Sequence, residues 1–280
     1  VAGNGTPENP FIINSRRALE HIRQHASHDF YYRLETDDII LTGQWTPIGN
    51  WYNPFEGHFD GNGHSISVSN VSFPSDYEDY GLFGFIGEYG VVQDLKVEFM
   101  DSGIAIDYPN FGAICGGNRG SVINCEVSGK ASLLVTLQYY AAVGGIAGYN
   151  TGTIAGCTVS GEFNIQTVRL NEETAGEADI GGIVAYNSSG TVTRSANHAA
   201  ISVSGDPKLC FNMGGIAGWS EGDADEYGEY FARIEDCYNA GVLSVSGTLW
   251  LAGGVVGVNM EYSEVSTSNN ITDIQLLGEP

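Results

Sequence analysis

The stretch GGIAGYNTGTIAGCTVSG, residues 144–161, decides the fold. Glycine fills six of its positions, no residue is charged, and the apolar positions follow no helical spacing. Glycine loses more freedom on folding than any other residue. Alone, the segment reads as a flexible linker or a weak phosphate loop. Its counterparts along the chain change that. YGLFGFI starts at Tyr80, GAICGGN at Gly112, GGIAGYN at Gly144, GGIVAYN at Gly181, GGIAGWS at Gly214 and GGVVGVN at Gly253. The spacings are 32, 32, 37, 33 and 39 residues. Six matches at a near-constant period mark a repeat architecture.

Each unit continues in the same way. An Asn column follows the doublet at Asn118, Asn150, Asn187 and Asn259, with Ser220 as the departure. A small-residue column follows at Cys125, Cys157, Ser195, Cys237 and Ser268, and most units close on phrases such as EVSG, TVSG, ISVSG and LSVSG. Val, Ile and Thr in short runs punctuated by Gly and Asn predict strands, and the helical i, i+3, i+4 pattern is missing. The units therefore predict a stack of coils built from short parallel strands, about three per coil at the usual strand length. In such a stack every residue lies about 4.8 Å from its counterpart in the next coil. Glycine is expected to supply positive φ at the corners, with Asn tolerating the same conformation. The Cys/Ser column is expected to point inward, its cysteines acting as small hydrophobes. Five cysteines without CxxC spacing form neither a disulfide framework nor a zinc site.

Residues 1–70 lack the doublet. PFIINS reads as a strand, Ser15 as the N-cap of a helix through about residue 26 with Ala18, Leu19 and Ile22 on its apolar face, and FYYRLETDDIILTG as a further strand region. A stack of strands needs its open end covered, and this segment is the expected cap. GTPENPFIINS, DDIILTGQWTPIG, FEGHFDGNGHSI and the recurrent GGIAGYN together resemble the GLUG-repeat proteins, found in bacterial surface proteins and in non-catalytic regions of IgA1-specific metallopeptidases. The resemblance covers nearly the whole chain. It implies an all-β, right-handed parallel β-helix (β-solenoid) with a small N-terminal helix-containing cap, on an exported, surface-attached protein of the adhesin type. The expected division is residues 1–70 as cap and lead-in coil and 71–280 as about six coils of one continuous domain.

Composition narrows the partners. The 280 residues are 42% hydrophobic, enough for a substantial core, and carry 39 glycines. Eleven basic residues against 34 acidic ones leave a net charge of −23. Phosphate backbones are held by Lys and Arg, so nucleic acid is not an expected partner. No apolar run approaches the roughly 20 residues that span a bilayer, so no membrane insertion is expected. The opening VAGNGTPENP lacks the basic and apolar regions of a signal peptide, so a leader would have been removed or never present.

No catalytic constellation emerges. HExxH is absent, and His21 and His25 have helical i, i+4 spacing without its Glu, so a solvated helix face is expected. A glycosidase needs two opposed carboxylates, and with so many acids a pair carries no weight. The insertion SEGDADEYGEYFARIED offers Asp223, Asp225 and Glu226 as a weak Ca²⁺ candidate without EF-hand spacing. A second insertion, EFNIQTVRLNEETAGEAD, reads as a surface loop. The binding candidates are aromatic. Tyr77, Tyr108, Tyr140, Phe211 and Trp250 recur three or four residues before the doublets, only the unit with Glu177 and Ala178 breaking the series, and stacked coils would align them, either as an exposed ridge or as a core stack. Trp51 and Tyr52 are a second exposed pair. The expectation is a non-enzymatic, monomeric surface protein without a cofactor, binding a glycan or a host or cell-surface protein. The alternatives are a carbohydrate-active enzyme on a β-helix and a structural spacer of a larger surface protein.

Overall fold

The computed structural model describes residues 1–75, 78–107, 109–170, 176–206, 208–225, 228–246, 249–272 and 274–276. Among the described residues the chain is all-β apart from one short helical segment, and its strands gather into four long parallel sheets and one two-stranded antiparallel pair. One circuit shows the plan. Tyr140–Gly144 lies in sheet I, Ala147–Asn150 in sheet II, Thr153–Ala155 in sheet III, and Thr158–Val159 with Glu162–Arg169 in sheet IV. The next repeat visits the sheets in the same order, each strand pairing in parallel with its predecessor.

The columns read from the sequence are registers of these sheets. Gly144 pairs with Gly181, which pairs with Gly214 and then Gly253. Asn118 pairs with Asn150, Asn187 and Ser220 in turn. Between them runs a buried amide ladder: Asn118 Nδ2 donates to Asn150 Oδ1 at 2.7 Å, and Asn150 Nδ2 to Asn187 Oδ1 at 2.8 Å. The preceding circuit has Ile86 in this register, so Asn118 Oδ1 is buried without a partner at the ladder's first rung. A second ladder, unforeseen in the sequence, joins Asn197 to Asn239 at 2.8 Å and Asn239 to Asn270 at 2.7 Å.

One corner expectation needs correction. The doublet glycines do not take positive φ; they are required by close approach. A Cβ on Gly144 would lie 1.9 Å from Ala147 O, and one on Gly145 2.2 Å from Gly182 O. Positive φ falls instead on Asn124, Gly156, Arg194, Asp236 and Thr267, each just before a member of the Cys/Ser column. That column is buried from Cys125 to Cys237 and half-buried at Ser268 in the last coil, and it also closes the corner. Ser195 Oγ donates to Thr193 O at 3.0 Å, Ser268 Oγ to Ser266 O at 2.9 Å and Cys237 Sγ to Glu235 O at 3.3 Å. Ser and Cys alternate here because both are small donors.

The core is one continuous cluster along the stack, with Ile154, Val192 and Ile234 buried in successive circuits. At the N-terminal end α1 (Arg16–His21) continues as a 3-10 turn over Ile22–His25, with Ser15 Oγ accepting from Ala18 N at 3.3 Å. Ala18, Leu19 and Ile22 are buried. Arg16 donates to Thr42 O and Gln44 O at 2.6 and 2.8 Å, and Arg23 to Thr46 O at 2.9 Å. The cap thus ties down carbonyls along Ile39–Gln44, the strand that ends sheet IV. The strand Ser65–Ser72 crosses residue 70, pairing in parallel with Ile39–Gln44 through a register shift that skips Asn70.

The insertion beginning at Glu162 is corrected as well. Glu162–Arg169 is a sheet IV strand with Phe163, Ile165 and Thr167 buried in strict alternation. That period-two pattern outweighs its polar composition. Residues 171–175 lie outside the described residues.

Candidate functional site

The aromatic residues preceding the doublets do not form one column. Tyr140 stands four residues before its doublet and pairs with Glu177, which pairs with Cys210. Phe211 stands three before its doublet and pairs with Ala178, so it takes the opposite face and is fully buried in the core. A one-residue offset in a strand turns a side chain to the other face. Phe211 is therefore removed as a binding candidate. Trp250 lies in the strand Leu249–Gly253 at a register irregularity, with Phe211 opposite Leu249 and Asn212 opposite Leu251. Its side chain, like Tyr77 and Tyr108, lies outside the described residues.

A different aromatic row stands in sheet II. Tyr149, Tyr186 and Trp219 are in direct register and half-buried. The Tyr149 and Tyr186 rings are 5.5 Å apart. The same register continues through Gly117 to Phe85, and a Cβ on Gly117 would meet the Phe85 ring at 2.5 Å, so only hydrogen fits beneath it. Beyond Phe85 stands Trp51, 51% exposed, its ring centroid 4.9 Å from that of Phe85. The exposed Arg119 guanidinium lies over both rings, at 5.0 and 5.7 Å. Tyr52, 91% exposed, neighbours Trp51 on a turn held by Asn50 Oδ1, which accepts from Tyr52 N and Asn53 N. From Phe85 to Trp219 the row covers four coil steps, about 19 Å at about 4.8 Å each. Its sequence signal was the aromatic residue just before the Asn column in three consecutive repeats.

The far end of the row is acidic and pinned. Glu221 accepts from the Tyr186 hydroxyl and, at 2.9 Å, from Trp219 Nε1, fixing both rings. In neighbouring sheet I, Tyr140 Oη donates to Asp179 Oδ2 at 2.6 Å. Asn212 Nδ2 donates to Asp179 Oδ1 at 2.9 Å and to Glu177 Oε1. Asp179 is 2% exposed, and burial pushes its carboxyl up to about 6 despite the bonds from Tyr140 and Asn212, with Glu177 and Glu221 adding to the rise. Burial and Asp179 also raise the Tyr140 phenol. Asp79, on the same register three coils away, is likewise lifted by burial to about 6 while accepting from Asn110 Nδ2 at 2.8 Å.

This chemistry suits holding better than cleaving. Glycoside cleavage needs two carboxylates facing a bond across open space. Asp179 is covered, and both Glu221 oxygens are engaged with ring donors. Asp223 and Asp225 stand on a projecting antiparallel hairpin, where Asp225 Oδ1 accepts from Gly228 N at 3.1 Å; Glu226 lies outside the described residues. Among the described residues no group of three or more His, Cys, Asp or Glu is gathered as a metal site would need. His21, His25 and His28 instead make edge-on ring contacts at 5.2 and 5.6 Å.

The comparisons agree with this plan. The GLUG motif matches residues 139–166, so this chain carries that motif around the circuit that contains Gly144–Gly161. A Gly-rich membrane protein of Evansella cellulosilytica is 34% identical over 134 residues, 45% of this chain and 15% of that protein. Halomucin of Haloquadratum walsbyi is 35% identical over 142 residues, 46% of this chain and 2% of its own length. The chain thus spans a small part of these relatives. Among solved structures, a chain from Bacteroides ovatus described as an immunoglobulin A1 protease superposes with a TM-score of 0.62 over 99% of this chain and 79% of its own, at 19% identity. A second, IgA1 Protease, gives 0.51 over 94% of this chain and 19% of its own, at 16% identity. At such identities the likeness is one of fold.

Proposed function

We propose that the chain is a right-handed parallel β-helix of an exported, cell-surface protein, and that it is a non-enzymatic module presenting a binding flank to a glycan or a host or cell-surface protein. The handedness follows from the strong right-handed preference of connections between parallel strands of one sheet. The names of the relatives, a membrane protein and a halomucin, support the surface placement. The observation that carries the binding reading is the row Trp51, Tyr149, Tyr186 and Trp219, with the buried Phe85 ring packed against Trp51. Its rings are held in place before a ligand arrives, which lowers the ordering cost of binding, and Tyr and Trp dominate binding energy at interfaces. No cofactor enters this reading, and the module acts as a monomer.

A glycan and surface-protein array tests it, with Tyr186→Ala and Trp219→Ala as controls. Binding by the parent that falls at least tenfold in both variants supports the flank; turnover of any polysaccharide overturns the non-enzymatic reading. A second reading, a spacer within a longer surface protein, is favoured by the small share of the relatives that the chain spans. Silence across the array selects it.

A further inference from the structure

Where the cap meets the first circuits, the outer face of sheet III forms a cavity of about 150 Å³. Pro7 and Pro10 overhang it, and the strands Tyr31–Leu34, His58–Asp60 and Val91–Gln93 form its floor. Register sets Tyr31 beside His58, Arg33 beside Asp60, and Asp60 beside Gln93. The Tyr31 and His58 rings are stacked at 4.2 Å with planes 2° apart. None of this depends on the aromatic row of sheet II.

Charge in the cavity is compensated within the protein. Arg33 Nη2 donates to Asn62 Oδ1 at 2.7 Å, and Arg33 Nε lies 3.2 Å from Glu35 and 4.0 Å from Asp60. His58 Nε2 faces Asp29 Oδ1 at 3.3 Å. An anion would meet Asp29, Glu35 and Asp60, while a cation would meet Arg33. By contrast, the Tyr31 hydroxyl and the Gln93 amide have no protein partner among the described residues. The amide offers both donors and an acceptor, and the phenol one of each.

Size narrows the ligand further. A water occupies about 30 Å³ of liquid, so the cavity has the room of about five waters, below the range of about 300 Å³ upward for drug-sized ligands. It fits one substituted six-membered ring and not a chain. The geometry points to a second binding site, in which a single neutral sugar ring lies among the prolines and the Tyr31–His58 stack, its hydroxyls paired with the Gln93 amide and the Tyr31 hydroxyl.

Saturation-transfer NMR on the whole chain tests this with the methyl glycosides of glucose, galactose, mannose and N-acetylglucosamine, and with N-acetylneuraminic acid and glucosamine as charged controls. The expected result is binding of at least one neutral glycoside, weakened at least tenfold in Gln93→Leu and in Tyr31→Phe, unchanged in Trp219→Ala, and stronger than binding of either charged sugar. Both cavity variants keep their volume, and an unchanged thermal midpoint verifies their fold. The assignment is overturned if no neutral glycoside binds at tens of millimolar, if both cavity variants bind as the parent does, or if a charged sugar binds best. The flank of sheet II is read by the array and by Trp219→Ala, so either site can fail without the other.

Discussion

Asp179 is the most informative single group for testing the side-chain arrangement. Its carboxyl is pushed from the ordinary range near 3.8 up to about 6 by burial. The native state therefore favours the protonated form. A group raised in this way contributes stability that is fully present below its unfolded pKa and lost as pH rises through the folded one. A shift of about two units corresponds to about 3 kcal/mol, and about 2 kcal/mol of it falls between pH 4.5 and 7.5. Stability is thus expected to rise on acidification from 7.5 to 4.5, against the usual acid trend. The net charge of −23 also contributes, because protonating surface carboxylates relieves repulsion. Comparison with Asp179→Asn removes that shared part. Urea unfolding of both proteins at the two pH values gives the double difference, and the parent should gain about 2 kcal/mol more than the variant on acidification. Any loss of hydrogen bonds in the variant is the same at both pH values and cancels. A double difference below about 0.5 kcal/mol would refute a buried, ionisable Asp179 between Tyr140 and Asn212.

Three further outcomes follow from the packing. Asn150→Ala removes the middle rung of a buried ladder and leaves Asn118 and Asn187 without their amide partners; a loss of about 2–4 kcal/mol in urea unfolding is expected, and a loss below about 0.5 kcal/mol would show that the ladder is not formed. Gly145→Ala places a Cβ 2.2 Å from Gly182 O, whereas Gly43→Ala meets no atom within 4 Å and carries only the strain of φ +67°. Thermal denaturation should show a far larger drop for the first than for the second, which costs about 1 kcal/mol. Cys115, Cys125, Cys157 and Cys237 are buried and Cys210 is half-buried, so a thiol reagent should modify one equivalent of native protein and five after denaturation; burial and Glu177 raise the Cys210 thiol, which slows that one reaction at neutral pH.

The fold was legible because a parallel in-register stack turns spatial neighbours into a sequence period. Gly144, Gly181 and Gly214 lie on one line in space, and so do Asn118, Asn150 and Asn187. A column needs only the repeat length to be seen. Facing is a finer property. Tyr140 and Phe211 differ by one position relative to their doublets, and that single step separates a half-buried phenol bonded to Asp179 from a ring closed in the core. The reason for each glycine was also hidden, since close approach and positive φ both select glycine, and only geometry assigns the doublets to the first and Gly156 to the second, the equivalent corners elsewhere being Asn124, Arg194, Asp236 and Thr267.

The two candidate sites differ in the same respect. The row Tyr149, Tyr186 and Trp219 repeats, so its signal lay in the alignment, one residue before the Asn column. The cavity under Pro7 and Pro10 draws on four separate segments and appears once, at the junction of the cap with the first repeat. Nothing periodic marks it. In a stack of near-identical circuits the repeated positions are constrained by their neighbours above and below: a ladder Asn or a doublet Gly cannot change without disturbing the next coil. The cap-junction residues are paired in register too, His58 between Tyr31 and Val91 and Asp60 between Arg33 and Gln93, but no later coil repeats that set of side chains. The flank supplies length and repetition, which suits an extended partner. The cap junction supplies enclosure, and enclosure is what discrimination between single sugar rings requires.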